Sequence, residues 1–135
     1  MEIQVLIENV AFNKNFVAEH GLSILVKKDD KEVLVDTGQS ENFIKNCGLM
    51  GIEVERIQKV VLTHGHYDHI GGLKGLLEKN PNVKIYAHKR ILDKKYALRK
   101  NGNIDEIGFN LAIYNKYKNN FVANRGRYRS RKRFF

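Results

Sequence analysis

Between Lys59 and Gly72 the chain passes from three consecutive aliphatic residues, Val60-Val61-Leu62, directly into Thr63-His64-Gly65-His66-Tyr67-Asp68-His69-Ile70-Gly71-Gly72. Uninterrupted apolar residues in so short a strand suit burial on both faces of a sheet. A loop that starts at the strand's end can turn several side chains into one cleft while the strand fixes their origin. Three of the five histidines and one carboxylate fall within six residues of this loop. At this composition, His-x-His-x-Asp-His arises by chance on the order of a few times in ten thousand chains of this length, so the spacing is specific. Imidazole nitrogen and carboxylate oxygen suit zinc, iron or manganese, and no thiolate lies nearby to favour a structural cysteine-rich site. The pattern points to a catalytic metal, with Gly65 and Gly71-Gly72 allowing tight backbone turns around it. His20 and His88 are isolated in sequence and read as ordinary histidines.

The elements around this loop alternate strand and helix. Ile3, Val5 and Ile7 recur with period two and predict a strand with one strongly apolar face. Leu22 to Lys27 and Glu32 to Asp36 are two more strands, joined as a hairpin through the polar run Lys28-Asp29-Asp30-Lys31. Thr37-Gly38-Gln39-Ser40 reads as a loop ending in a helix N-cap, with Glu41 against the positive end of the helix dipole. Phe43, Ile44 and Cys47 mark one helical face, and Gly51 is a stop. Lys59 to Leu62 is a strand; Leu73, Leu76 and Leu77 mark a helix broken by Asn80-Pro81; Val83 to Ala87 is a strand; helical character resumes over Lys89 to Lys100. The order is that of an α/β fold.

At 135 residues the chain has the usual size of one domain. The single cysteine, Cys47, excludes an intramolecular disulfide framework; it suits a reducing compartment and a packing role. The N-terminus lacks the basic and apolar regions of a signal peptide, and no run approaches the roughly twenty apolar residues of a membrane span, so the expectation is a cytoplasmic protein without membrane association. The formal net charge of +9 is unevenly distributed: residues 1–124 carry +3, and Arg125 to Phe135 carry +6 without a carboxylate. That Arg-rich tail has three readings: a nucleic-acid arm in which Arg meets phosphate and Tyr128, Phe134 and Phe135 stack on bases, a solvated disordered end, or a frame-shifted end of a once longer protein.

The His64 to His69 motif, with the upstream Val-Leu-Val-Asp36-Thr37-Gly38, resembles the signature of the metallo-β-lactamase-like hydrolase superfamily over about Ile3 to Leu111. The resemblance implies an αββα sandwich with metals at one edge of the two sheets. His64 and His66 would enter a first metal site and Asp68 and His69 a second, with Asp68 also the catalytic residue and Asp36 orienting the ligands from behind; a cap of the turn before Ser40 is the other reading of Asp36. Up to two divalent ions, zinc first and iron or manganese otherwise, would serve hydrolysis of a small-molecule ester or phosphoester-type bond. Glu19-His20-Gly21-Leu22-Ser23 adds similarity to the branch named for dihydropterin ribofuranosyl-aminobenzene phosphate synthase, which implies a pterin-linked substrate and makes His20 a residue lining the cleft.

The same resemblance implies ligands that this chain lacks, since no histidine follows His88 and the only later aspartates are Asp93 and Asp105. The expectation is therefore the N-terminal half of the sandwich over residues 1–124, one sheet with its helices, with weak or absent turnover. One apolar sheet face is left without its partner, which prompts the expectation of a homodimer that rebuilds the sandwich. A non-enzymatic remnant that binds metal, or nucleic acid weakly through the tail, is the alternative.

Overall fold

The structure is a computed structural model that describes Met1–Val122; the basic tail and its boundary at residue 124 lie outside the described residues. Among those residues, β1 (Glu2–Ile7), β2 (Ser23–Lys28), β3 (Lys31–Val35), β4 (Lys59–Leu62) and β5 (Lys84–Ala87) form one sheet in that order. β1, β2 and β3 are antiparallel neighbours, while β3, β4 and β5 run parallel. Asp29, at φ 56°, takes the left-handed turn conformation that closes the β2–β3 hairpin, where Lys28 pairs with Lys31. α1 (Asn42–Leu49) connects β3 to β4, and α2 (Tyr67–Ile70) with α3 (Leu73–Lys79) connects β4 to β5, so the expected order holds through β5. The helix begins at Asn42, one residue beyond Glu41, and Ser40 Oγ accepts from the Asn42 N–H at 3.2 Å.

The helices cover one face of the sheet. Leu25, Leu34, Val60 and Ile85 form a cross-strand row that is fully buried, in one cluster with Phe43, Cys47, Leu73, Leu76 and Leu77. The opposite face carries the row Val5, Ile24, Val35, Val61 and Tyr86, in which Val5 is 52% exposed and the others are half-buried. Two expectations change here. Val61 is half-buried on the opposite face from Val60 and Leu62, which are buried under the helices. In β1, Ile3 and Val5 are exposed while Leu6 and Ile7 are buried, because the register shifts between Val5 and Ile7 and the irregularity turns two consecutive side chains inward.

The stretch after β5 departs further. In place of a helix over Lys89 to Lys100 there is a short 3₁₀ turn, Lys89–Leu92, followed by a two-stranded hairpin of β6 (Tyr96–Leu98) and β7 (Ile104–Glu106), and then α4 (Leu111–Tyr117). Lys95 Nζ donates to the carbonyls of Arg90, Ile91 and Asp93, satisfying the acceptors that a continuing helix would have used. Gly102, at φ +84°, turns the chain back between the strands. Beyond α4, Phe121 bridges to Ile85 and the Val122 N–H donates to the Ile85 carbonyl at 2.8 Å, beside β5. No helix among the described residues is long and apolar enough to cross a membrane.

One buried polar side chain joins α1 to β1 and to the chain between β1 and β2. Asn46, 1% exposed, donates to the carbonyls of Leu6 and Val17 and accepts from the Val17 N–H. Cys47 beside it is fully buried, and that burial pushes its thiol up to about 12, against the smaller opposing pull of Lys27. Asn46→Ala leaves three backbone groups short of a partner and is expected to cost about 2–3 kcal/mol in urea unfolding, whereas Leu49→Ala on the exposed side of α1 should cost less than about 0.5 kcal/mol. Cys47 is expected not to react with a thiol reagent at pH 8 in the folded protein and to react fully once unfolded; because the folded pKa is raised, its contribution to stability is complete below the ordinary 9.0 and is lost as pH climbs toward 12.

Candidate metal centre

Parallel pairing of β3 with β4 brings Asp36, which follows Val35, beside Thr63, which follows Leu62. Asp36 has φ 56° and is fully buried, a left-handed conformation that aspartate tolerates better than most side chains. Its carboxylate accepts from the Thr63 N–H at 2.8 Å and from Thr63 Oγ1 at 2.6 Å, and Oδ2 also meets His69 Nδ1 at 2.8 Å. A carboxylate at that distance holds the proton on Nδ1 and leaves the lone pair on Nε2. The Thr63 hydroxyl has spent its one proton on Asp36, so at 3.0 Å it accepts from His64 Nδ1, which leaves His64 Nε2 bare as well. Burial, and then the neighbouring His69 and His66, hold the His64 imidazole below its ordinary pKa and favour that neutral form.

The free nitrogens converge. His64 Nε2 lies 3.1 Å from His66 Nδ1, and two imidazole nitrogens so placed share either a proton or a metal ion. His69 Nε2 lies 3.4 Å from Asp68 Oδ2. The His64 ring centroid is 4.5 Å from that of His66 and 4.1 Å from that of His69, so the two pairs border one site. The 3.4 Å separation matches the roughly 3.3–3.4 Å edge of a tetrahedron whose metal bonds are about 2.0–2.1 Å, the 3.1 Å separation is a few tenths shorter, and the all-nitrogen-and-oxygen donor set fits a zinc-like divalent ion. Asp36, His64 and His69 each also offer a ligand atom within 4.8 Å of the others. Both oxygens of Asp36 are engaged by Thr63 and His69 rather than by the turn before Ser40.

The backbone of the loop is held from below. Thr37, fully buried, donates from both its N–H (2.7 Å) and Oγ1 (3.1 Å) to the His69 carbonyl, and the Gly71 N–H donates to the Gly38 carbonyl at 2.9 Å. Gly65, Gly71 and Gly72 do not serve as left-handed turns, since the positive-φ glycines among the described residues are at 21, 38, 51 and 102. What Gly71 supplies is close approach, because a Cβ there would stand 1.9 Å from the Gln39 carbonyl oxygen. The only sequence signal for Thr63 and Thr37 is adjacency to the two motifs.

The remaining residues sort by position. His20 reaches the cleft, with Nε2 3.4 Å from Asp68 Oδ2. His88 is exposed and caps the Lys89–Leu92 turn, its Nδ1 accepting from the Arg90 N–H. Asp93 and Asp105 are engaged at the surface with Arg90 and Arg99, at 2.8 and 2.6 Å.

A sequence profile described as the metallo-beta-lactamase superfamily matches residues 17–122. The uncharacterized protein MJ0448 of Methanocaldococcus jannaschii is 39% identical over 105 residues, covering 77% of this chain and 41% of that protein. The 7,8-dihydropterin-6-methyl-4-(beta-D-ribofuranosyl)-aminobenzene-5'-phosphate synthase of the same organism is 34% identical over 104 residues, covering 72% and 35%. Among solved structures, the metallo-beta-lactamase GOB-18 from Elizabethkingia meningoseptica is 30% identical with a TM-score of 0.47, covering 60% of this chain and 30% of that one. The chain thus spans about 30 to 41% of the length of these relatives.

Removing the Asp36 carboxylate strands two Thr63 donors and the His69 ring in a buried position. Asp36→Ala is expected to lower stability by at least about 3 kcal/mol, read by urea unfolding of the metal-free protein, with Asp36→Asn intermediate.

Proposed function

The chain belongs to the metallo-beta-lactamase superfamily, and on that premise we propose that His64, His66, Asp68 and His69 bind divalent metal, zinc before iron or manganese, for hydrolysis of an ester or phosphoester-type bond in a small molecule. The observation that carries this reading is the pair of donor edges, 3.1 Å between His64 and His66 and 3.4 Å between Asp68 and His69, each backed by a group that frees the facing nitrogen. When bound, such an ion lowers the pKa of a water to about 7 and polarises the bond to be broken. The protein's own contribution is orientation. Thr63 and Asp36 fix the His64 and His69 tautomers, and Thr37 fixes the main chain between them. Asp68 presents Oδ2 to the cleft, where it is placed to orient the nucleophile or take its proton.

A second reading concerns the substrate. The 34% identity to a dihydropterin-linked synthase favours a pterin-linked compound, for which the same donor set would serve. The chain covers 35% of that relative, and turnover by these residues alone is expected to be weak or absent unless further ligands are supplied. The row Val5, Ile24, Val35 and Val61 is the face on which a second copy would rebuild a sandwich.

Metal analysis of the purified protein beside His66→Ala tests the ligand assignment. The parent is expected to retain divalent metal and the variant to lose most of it, and equal content in the two would overturn the reading. Phosphodiester, thioester and dihydropterin assays on both proteins then separate the substrate classes. Light scattering is expected to give a dimer; a well-behaved monomer at micromolar concentration would remove the pairing.

A further inference from the structure

Asp68 Oδ2 stands between two imidazole nitrogens, His69 Nε2 on one side and His20 Nε2 on the other, each at 3.4 Å. Both separations exceed the usual 2.7–3.2 Å of an N–H···O hydrogen bond and match the roughly 3.3–3.4 Å edge between neighbouring ligands of a tetrahedral ion. We propose that His20 is a metal ligand, completing with Asp68 and His69 a three-residue site for the second ion. The proposal rests on the reading above that the cleft binds metal, and it adds a ligand from outside the His64 to His69 motif.

The main chain around His20 is built against Asp68. The Leu22 N–H donates to the Asp68 carbonyl at 3.3 Å, and the Leu22 carbonyl accepts from the Gly38 N–H at 2.9 Å. Gly21 has φ +133°, and a Cβ on it would stand 2.1 Å from the Asp68 carbonyl oxygen, so only glycine permits this contact. Its N–H donates to Asn9 Oδ1 at 3.2 Å. On the other side of His20, Glu19 accepts from the Ser40 N–H and Oγ and from Asn42 Nδ2 at 2.6 to 2.9 Å. His20 is therefore the free side chain between two anchored residues, and those anchors present it to Asp68. Its own side chain is 64% exposed, and its ring is 6.5 Å from that of Tyr67. An exposed imidazole beside a carboxylate gains little from the ion pair alone, whereas a shared ion accounts for both 3.4 Å distances.

Cobalt(II) titration of the metal-free full chain, followed by visible absorption, tests this. The parent is expected to bind in two classes. His20→Ala is expected to weaken one class at least about tenfold and change its spectrum while leaving the other intact, and His66→Ala is expected to do the reverse. Thermal unfolding of metal-free His20→Ala should match the parent, since the side chain is exposed. As a second measurement on the unaltered protein, zinc is expected to shift the His20 Nε2 nitrogen resonance. An unchanged titration and spectrum for His20→Ala, or a His20 resonance that zinc does not move, would overturn the inference while leaving the metal reading in place. A parent protein that takes up no cobalt would overturn both.

Discussion

The Asp36 carboxylate is the contact on which the rest of the site depends. It is fully buried, sits in a left-handed backbone conformation, and satisfies its oxygens with Thr63 and His69. Each of those bonds propagates. Through Thr63 Oγ1 it decides which nitrogen of His64 carries the proton, and through His69 Nδ1 it decides the same for His69. Because β3 and β4 are adjacent and parallel, one residue at the end of β3 can reach both Thr63, at the start of the loop after β4, and His69, the last histidine of that loop. A buried carboxyl group is tolerable only when so fully partnered, and the strained backbone at Asp36 is offset by those partners.

The sheet supports this edge asymmetrically. Its helix-covered face is a closed core, with Leu25, Leu34, Val60 and Ile85 sealed under α1 and α3, and Asn46 and Cys47 carry the junction between α1 and β1. Its other face, from Val5 to Tyr86, is apolar without being sealed. Rigid placement of the cleft thus comes from one side of the sheet, and the second face carries a half-buried apolar row.

Some of this was legible in the sequence because the signals are local. The His64 to His69 spacing, the β2–β3 hairpin around Asp29, and the leucines of α3 each declare themselves within a few residues. Other features depended on distant partners. The Lys89 to Lys100 stretch reads as helix, yet Lys95 reaches back to three carbonyls and Asn101-Gly102 turns the chain into a hairpin. The irregularity at Leu6 in β1 follows from pairing with β2, so Ile3 and Val5 mark an exposed face that periodicity alone assigns to the core. His20 is isolated in sequence and stands out only through the resemblance of Glu19-His20-Gly21-Leu22-Ser23; the fold is what sets it against Asp68.

The sequence by itself determined the donor types, their spacing and their origin at the end of an apolar strand, and these suffice to point to a nitrogen-and-oxygen metal site. Only the tertiary structure decided which donor atoms face one another, because tautomer and ring orientation are set by Thr63 and Asp36 across a strand pairing. It also decided that Gly21 lies on the Asp68 carbonyl, since close approach between segments 47 residues apart is a property of packing and leaves no periodic trace in the chain.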